Sequence, residues 1–193
     1  LLPSSAWKMR QHKQKWYAGD TISVSIGQGY NLTTPLQLAF ATMIIANNGK
    51  AYLPHLVKQI QNSQTGEVED IPAKLLYSLN FQPKNLEVVK SALVDVTRPG
   101  GTAAKAGANA GYTFAGKTGT AQWFKNGVMQ DTHIVSFAGL IPANEPRLAI
   151  FVKLNEPKVN ASNEVLAGAT ALPVWRDVAE QAVRLLDIKP DSK

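Results

Sequence analysis

Apolar and polar positions change their spacing along the chain, and each change marks an element. The densest apolar run is Leu36, Leu38, Ala39, Phe40, Ala41, Met43, Ile44, Ile45 and Ala46. Thr34-Pro35 opens it with a capping hydroxyl and a residue whose φ already suits a first turn, and Gly49 closes it, so a helix is expected from about Pro35 to Asn47. Almost no polar face is left on this helix, which predicts burial on most sides within a larger body. Upstream, Thr21-Ile22-Ser23-Val24-Ser25-Ile26 alternates and predicts a short strand or extended segment, broken by the two glycines of Gly27-Gln28-Gly29-Tyr30-Asn31. Leu56-Val57-Lys58-Gln59-Ile60 and a run around Glu67-Val68 flank the turn formers Asn62-Ser63-Gln64-Thr65-Gly66, predicting a small hairpin.

From Asn85 the period returns to that of a helix, with Leu86, Val89, Leu93 and Val96 on one stripe and Pro99-Gly100-Gly101 as the stop. Three strand candidates follow: Ala115 to Trp123, His133 to Leu140, and Arg147 to Leu154. Their connections, Lys125-Asn126-Gly127 and Pro142-Ala143-Asn144-Glu145-Pro146, are hairpin-sized, so an antiparallel meander is expected. Trp175, Val178, Ala179, Ala182, Leu185 and Leu186 then recur at helical spacing, with Asp177 and Glu180 on the exposed side. The predicted class is α+β, an antiparallel sheet flanked by helices.

Composition narrows this picture. With 193 residues, 45% of them hydrophobic, the chain suits one domain or part of one. No apolar run approaches the roughly 18 residues of a membrane span, and Leu1-Leu2-Pro3-Ser4-Ser5 resembles neither a leader nor an initiator, so the chain reads as starting in mid-sequence with an upstream anchor left open. Absence of cysteine excludes disulfides and thiolate sites and leaves the compartment undecided. The net charge of +6 suits an anionic partner, a cell-wall polymer among them. The one dense basic cluster, Lys8, Arg10, Lys13 and Lys15 with His12 and Trp16, reads as a solvated face; no nucleic-acid motif accompanies it. His12 and His55 lack partners at ligand spacing, so neither a metal nor another cofactor is expected.

The chemistry concentrates in Gly116-Lys117-Thr118-Gly119-Thr120, on the first strand of the meander. A Lys-Thr-Gly tripeptide on a strand of an antiparallel sheet is one signature of serine acyl-transferases that react with penicillin. An extended peptide laid along such a strand is aligned as one more strand. Gly119 would let its backbone approach closely. Lys117 would place a fixed cation near the nucleophile and the substrate carboxylate, where negative charge develops. The hydroxyls of Thr118 and Thr120, two residues apart, project to one face and can hold a carboxylate, and the Thr120 amide is a candidate oxyanion donor. His133, next to Asp131 and Thr132, reads as an ordinary strand-end histidine, and Trp123 and Phe124 as packing at a hairpin end.

Gly27-Gln28-Gly29-Tyr30-Asn31, Thr34-Pro35-Leu36-Gln37-Leu38-Ala39, Gly116-Lys117-Thr118-Gly119-Thr120-Ala121-Gln122 and Phe137-Ala138-Gly139 resemble the class B penicillin-binding proteins. Leu2-Pro3-Ser4-Ser5, Trp7-Lys8 and Gly19-Asp20-Thr21-Ile22-Ser23-Val24 resemble the elongation-type branch of that family, the penicillin-binding protein 2 group, and the likeness extends over nearly the whole chain. It implies the C-terminal part of a transpeptidase domain of the penicillin-binding and serine β-lactamase-like fold. The implied activity is D-Ala-D-Ala transpeptidation of peptidoglycan stem peptides, with β-lactam antibiotics as inhibitors. The implied setting is the inner membrane with the catalytic domain in the periplasm, beside cell-elongation membrane proteins.

Two local matches compete for the missing serine motifs: Ser5-Ala6-Trp7-Lys8 fits Ser-x-x-Lys, and Ser78-Leu79-Asn80 fits Ser-x-Asn. In the family resembled, the Gly-Gln-Gly-Tyr-Asn segment follows both serine motifs. Ser5 leaves no room for the second of them, and Ser78 lies beyond that segment. Both are therefore read as chance matches, and Trp7-Lys8-Met9-Arg10 as a solvent-seeking stretch. The nucleophile is expected upstream, in an N-terminal part of the same domain. A β-lactam sensor or a serine β-lactamase-like domain stays open as an alternative, since both share the strand; a hydrolase must also activate water, and no base is assigned for that.

Overall fold

Three strands that run out and back decide where everything else sits. In the computed structural model, which describes residues 2–108, 110–125, 128–157 and 166–191, β5 (Ala115–Lys125), β6 (Val128–Ile141) and β7 (Leu148–Asn155) form an antiparallel sheet in the order β5-β6-β7. The meander and its class agree with the sequence, but β6 begins at Val128 rather than His133 and β5 runs on to Lys125. Of the first connection, Asn126 and Gly127 lie outside the described residues.

Alternation on β6 sets the two faces. Val135, Phe137 and Ile141 are fully buried on one side, against α6 (Ala171–Leu185). Trp175 is the centre of that layer: its ring meets Phe137 and Phe114 edge-on at 5.0 and 5.4 Å, and its indole N–H donates to the Ile150 carbonyl at 3.0 Å. The buried stripe of α6 is Leu172, Trp175, Ala179 and Val183, so Val178, Leu185 and Leu186 fall outside it and are exposed, contrary to expectation. Helical spacing alone admits two neighbouring stripes; the bulk of Trp175 against glycine on β6 selects one. Glu180 is half-buried, paired with Arg176 at 2.7 Å, and so is not on the open side.

On the other sheet face lie α3 (Pro35–Ala46) and α4 (Pro83–Asp95). Thr34 caps α3 as the sequence predicts, its Oγ1 accepting from the Gln37 amide at 3.2 Å while Gln37 Oε1 accepts from the Thr34 amide at 3.0 Å. Only Ile44 of α3 is buried, and Leu36 is 64% exposed, so the expected burial on most sides is not met among the described residues. The sheet offers this helix one side; its other apolar flank is open. On α4, Leu86 is buried while Val89 faces solvent.

Between these helices, β2 (Gln59–Gln61) and β3 (Val68–Asp70) make the expected hairpin. A second pair, β1 (Lys50–Tyr52) with β4 (Leu75–Ser78), and the short α5 (Ala104–Gly107) were not foreseen. Gly49 ends α3 at a positive φ and packs so close to Leu79 that a Cβ would strike its carbonyl oxygen.

The opening segment departs most from its reading. Ser4 caps α1 (Ser5–His12), accepting from the Trp7 amide at 3.2 Å. The predicted strand at Thr21–Ile26 is instead α2 (Ala18–Ser25). Local capping overrides the alternation: the Asp20 carboxylate accepts from the Tyr17 amide at 2.7 Å, and Trp16 Nε1 donates to Thr21 Oγ1 at 2.8 Å. The same carboxylate binds Lys8 Nζ at 2.6 Å, and Lys8 lies 4.8 and 5.3 Å from the centres of the Tyr17 and Tyr30 rings. Lys8 is 2% exposed, so this part of the basic stretch seeks the interior, not solvent. Its hydrogen bond to Asp20 outweighs desolvation and raises its pKa above 10.5, while that bond and the Tyr17 amide hold Asp20 below 3.8.

Candidate active site

Residues 115–120 lie on β5, which pairs with β6 on one side and has no strand partner on the other among the described residues. Alternation splits the motif between two faces. Thr118 and Thr120 sit opposite Phe137 and Val135, whereas Lys117 and Gly119 sit opposite Ala138 and Ser136.

Thr118 and Thr120 line one cavity of about 390 Å³, as the sequence suggests, together with Gly101, Thr102, Lys105 and the segment Leu166–Ala169. None of its lining residues among those described is acidic, so an anion entering it meets hydroxyls, amides and a lysine there. Each threonine is already engaged. Thr118 Oγ1 lies 2.9 Å from Thr102 Oγ1, and Thr120 Oγ1 accepts from the Ala167 amide at 3.3 Å. Lys117 is exposed on the opposite face, and its ammonium donates to the Thr118 carbonyl at 2.7 Å. Thr118 and Thr120 thus face the cavity together, while Lys117 leaves β5 on the opposite face.

Gly119 has a tighter reason than ligand approach. A Cβ there would lie 2.6 Å from Ser136 Oγ, so the neighbouring strand fills the space a side chain would need. A Cβ on Gly116 would likewise strike the Phe137 ring, 2.8 Å from its Cε1. Glycines at these two positions let β5 pair closely beside β6, one on each face of the sheet.

Farther along, Gln122 pairs with His133, and both line a second cavity of about 430 Å³ with Thr120, Phe124, Gln28 and Gly29. The Gly-Gln-Gly segment is thereby brought to the same strand as the Lys-Thr-Gly motif. His133 lies inside β6, not at a strand end, and Phe124 is 55% exposed at this cavity, so neither is simply end-packing.

The two serine matches are placed elsewhere. Ser5 opens α1, and Lys8 is committed to Asp20. Ser78 lies on β4, in a different sheet from β5. Thr102, Ser136 and Ala167 were missed by sequence reasoning. Thr102 follows the Pro99-Gly100-Gly101 stop, which reads only as a helix terminator, and Ala167 contributes a main-chain group that no side-chain pattern announces. Among the described residues, no three histidine or acidic side chains converge as a metal site.

The description "Penicillin binding protein transpeptidase domain" matches residues 2–178. Peptidoglycan D,D-transpeptidase MrdA of Haemophilus influenzae is 39% identical over 175 residues, covering 84% of this chain and 26% of that relative. The crystal structure of Pseudomonas aeruginosa PBP2 in complex with WCK 5153 is similar over 100% of this chain and 38% of its own, with 30% identity and a TM-score of 0.74. The complex between PBP2 and MreC from Helicobacter pylori is similar over 97% of this chain and 31% of its own, with 27% identity and a TM-score of 0.68. The chain spans about a quarter to a third of the length of the curated relatives it matches.

Proposed function

Because the chain belongs to the penicillin-binding protein transpeptidase domain family, matched over residues 2–178, we propose that it is the C-terminal, substrate-aligning part of an elongation-type peptidoglycan D,D-transpeptidase. The observation that carries this reading is the placement of Thr118 and Thr120 on β5, whose hydroxyls line one cavity with no acid among its described lining residues.

A stem peptide ending in D-Ala-D-Ala would lie along that edge, its terminal carboxylate held by Thr118 and Thr120. A serine from outside these residues attacks the penultimate D-Ala carbonyl. The C–O bond forms, the peptide C–N bond breaks, and the departing amine takes a proton and leaves as D-Ala. An amine of a second stem peptide then displaces the serine and forms the cross-link. Lys117 supplies fixed positive charge as the tetrahedral oxyanion develops, and the Thr120 amide is the proposed donor to it. β-Lactams would enter the same sequence and stop at the acyl-enzyme.

The open apolar flank of α3 and the partial coverage of longer relatives support a further, N-terminal part of the same domain that carries the nucleophile. No helix among the described residues is long and apolar enough to cross a membrane. We place the anchor in the inner membrane, outside this chain, with the catalytic domain in the periplasm. A cell-elongation membrane protein is the proposed partner, by analogy with the complex of the Helicobacter pylori relative with MreC.

Fluorescent penicillin tests the assignment. The 193-residue chain alone is expected to remain unlabelled, and the longer protein that carries it to be labelled whether or not Ser5 is replaced by alanine. Labelling of the chain alone that disappears with Ser5→Ala would overturn the placement of the nucleophile. Rapid turnover of the adduct by the longer protein would instead favour a β-lactamase-like hydrolase, and stable acylation without cross-linking a sensor.

A further inference from the structure

Two loops that carry none of the motif each reach one of the two motif threonines. In one, Thr102 brings its hydroxyl to 2.9 Å from Thr118 Oγ1. In the other, the Ala167 amide donates to Thr120 Oγ1. The loops are wedged against each other, since a Cβ on Gly168 would lie 2.6 Å from the Thr102 carbonyl oxygen. Each is also tied down. Ala103 N–H donates to the Val96 carbonyl at 2.9 Å, and Leu172 N–H, in the first turn of α6, donates to the Ala167 carbonyl at 3.0 Å.

The direction of these bonds matters more than their number. A hydroxyl has one proton and two acceptor sites. Thr120 uses an acceptor site on the Ala167 amide, so its proton is left for a ligand. Either oxygen of the Thr102–Thr118 pair can be the donor. When an anion enters the cavity, the arrangement with Thr102 donating to Thr118 frees the Thr118 proton for that anion and polarises it further. Both motif hydroxyls then present protons to the same cavity.

We infer that Thr102, with the Ala167–Gly168 segment, is a positioning element that orders the Thr118 and Thr120 hydroxyls as donors to the substrate carboxylate. It acts through the two threonines, and it deepens the function proposed above and rests on it.

Acylation by benzylpenicillin and by its carboxylate methyl ester, measured on the longer protein, tests the inference. Thr102→Val keeps the shape and removes the hydroxyl, so acylation by benzylpenicillin should fall about tenfold, as expected for weakening one hydrogen bond to an ionised group. Acylation by the methyl ester, which lacks the anion, should change less than about twofold on the same scale. Thr102→Ser should restore the penicillin rate. Gly168→Ala, which pushes the loops apart, should show the same selective loss. Equal losses with both ligands, or no rescue by serine, would mean a merely structural role and overturn the inference. Should Thr102→Val fail to fold, Thr102→Ser and Gly168→Ala still decide it by their ratio of rates for the two ligands. Failure of the unaltered protein to be acylated at all would sink the function itself, a separate outcome from a wild-type rate in Thr102→Val.

Discussion

Gly139→Ala adds a single methyl group where the sheet and α6 are closest. A Cβ at this position would lie 2.6 Å from Cε2 of Trp175 and 2.7 Å from Cε1 of Phe137, and closer still to Trp175 Cζ2. Carbon atoms prefer to be about 3.5–4.0 Å apart, so the overlap is about 1 Å. Trp175 has no room to retreat: it is fully buried, flanked by Phe114 and Phe137, and pinned by its bond to the Ile150 carbonyl. Overpacking of this kind costs about 1–3 kcal/mol. The reduced freedom of the unfolded chain returns only about 0.4–1 kcal/mol. A net loss of about 1–2 kcal/mol follows, a Tm lower by at most roughly 2–8 °C, because the shift per kcal/mol shrinks in a protein longer than this chain. The assay is thermal unfolding of the longer protein, run with Trp175→Phe and the double variant. Trp175→Phe alone loses buried area and the indole bond, but it removes the ring atoms that the new methyl strikes. The double variant should therefore be less destabilised than the sum of the singles, by about 1 kcal/mol or more. Wild-type stability of Gly139→Ala, or strict additivity in the double variant, would refute the packing argument.

Thr97→Val should destabilise by about 1–2 kcal/mol, read from the urea midpoint, because the buried Thr97 hydroxyl lies 2.8 Å from the Phe114 carbonyl at the root of β5 and valine leaves that carbonyl without its donor. Thr97→Ser should be nearer wild type. The Lys8–Asp20 pair predicts a pH window. Asp20, lowered from 3.8, contributes stability above that value and loses it as pH falls through its folded pKa, whereas Lys8, raised from 10.5, contributes below that value and loses it as pH rises through its own. The difference in Tm between wild type and Asp20→Asn should therefore be constant between these limits and shrink beyond each; a flat difference at every pH would rule the pair out as its source.

The meander and the last helix were legible because their signals are long and agree with one another: β-branched and aromatic runs, hairpin-sized connections, and a tryptophan at helical spacing. So was the Lys117–Thr120 strand, which needed only a strand beneath it to acquire meaning. Thr21–Ile26 was not, because a two-residue alternation in so short a segment is weaker than a carboxylate capping the turn before it. Lys8 misled for a related reason. In sequence it belongs to a row of bases, and only the fold brings Asp20 and two tyrosine rings around it. Thr102 and Ala167 were invisible on different grounds, one a common residue in a terminator, the other acting through its backbone. Gly119 was read as leaving space for a substrate backbone, whereas in the fold the space at its missing Cβ is taken by Ser136.

A strand bonded on one flank alone carries a hazard as well as an opportunity. The exposed row of amides and carbonyls on β5 that would receive a peptide would equally receive the matching row of another copy, and unguarded rims of this kind stitch molecules into aggregates. Lys117 is an exposed cation on that strand, and two such cations brought face to face repel. The residue assigned to transition-state charge is then also a sentry against self-association, so neutralising it should erode solubility along with catalysis.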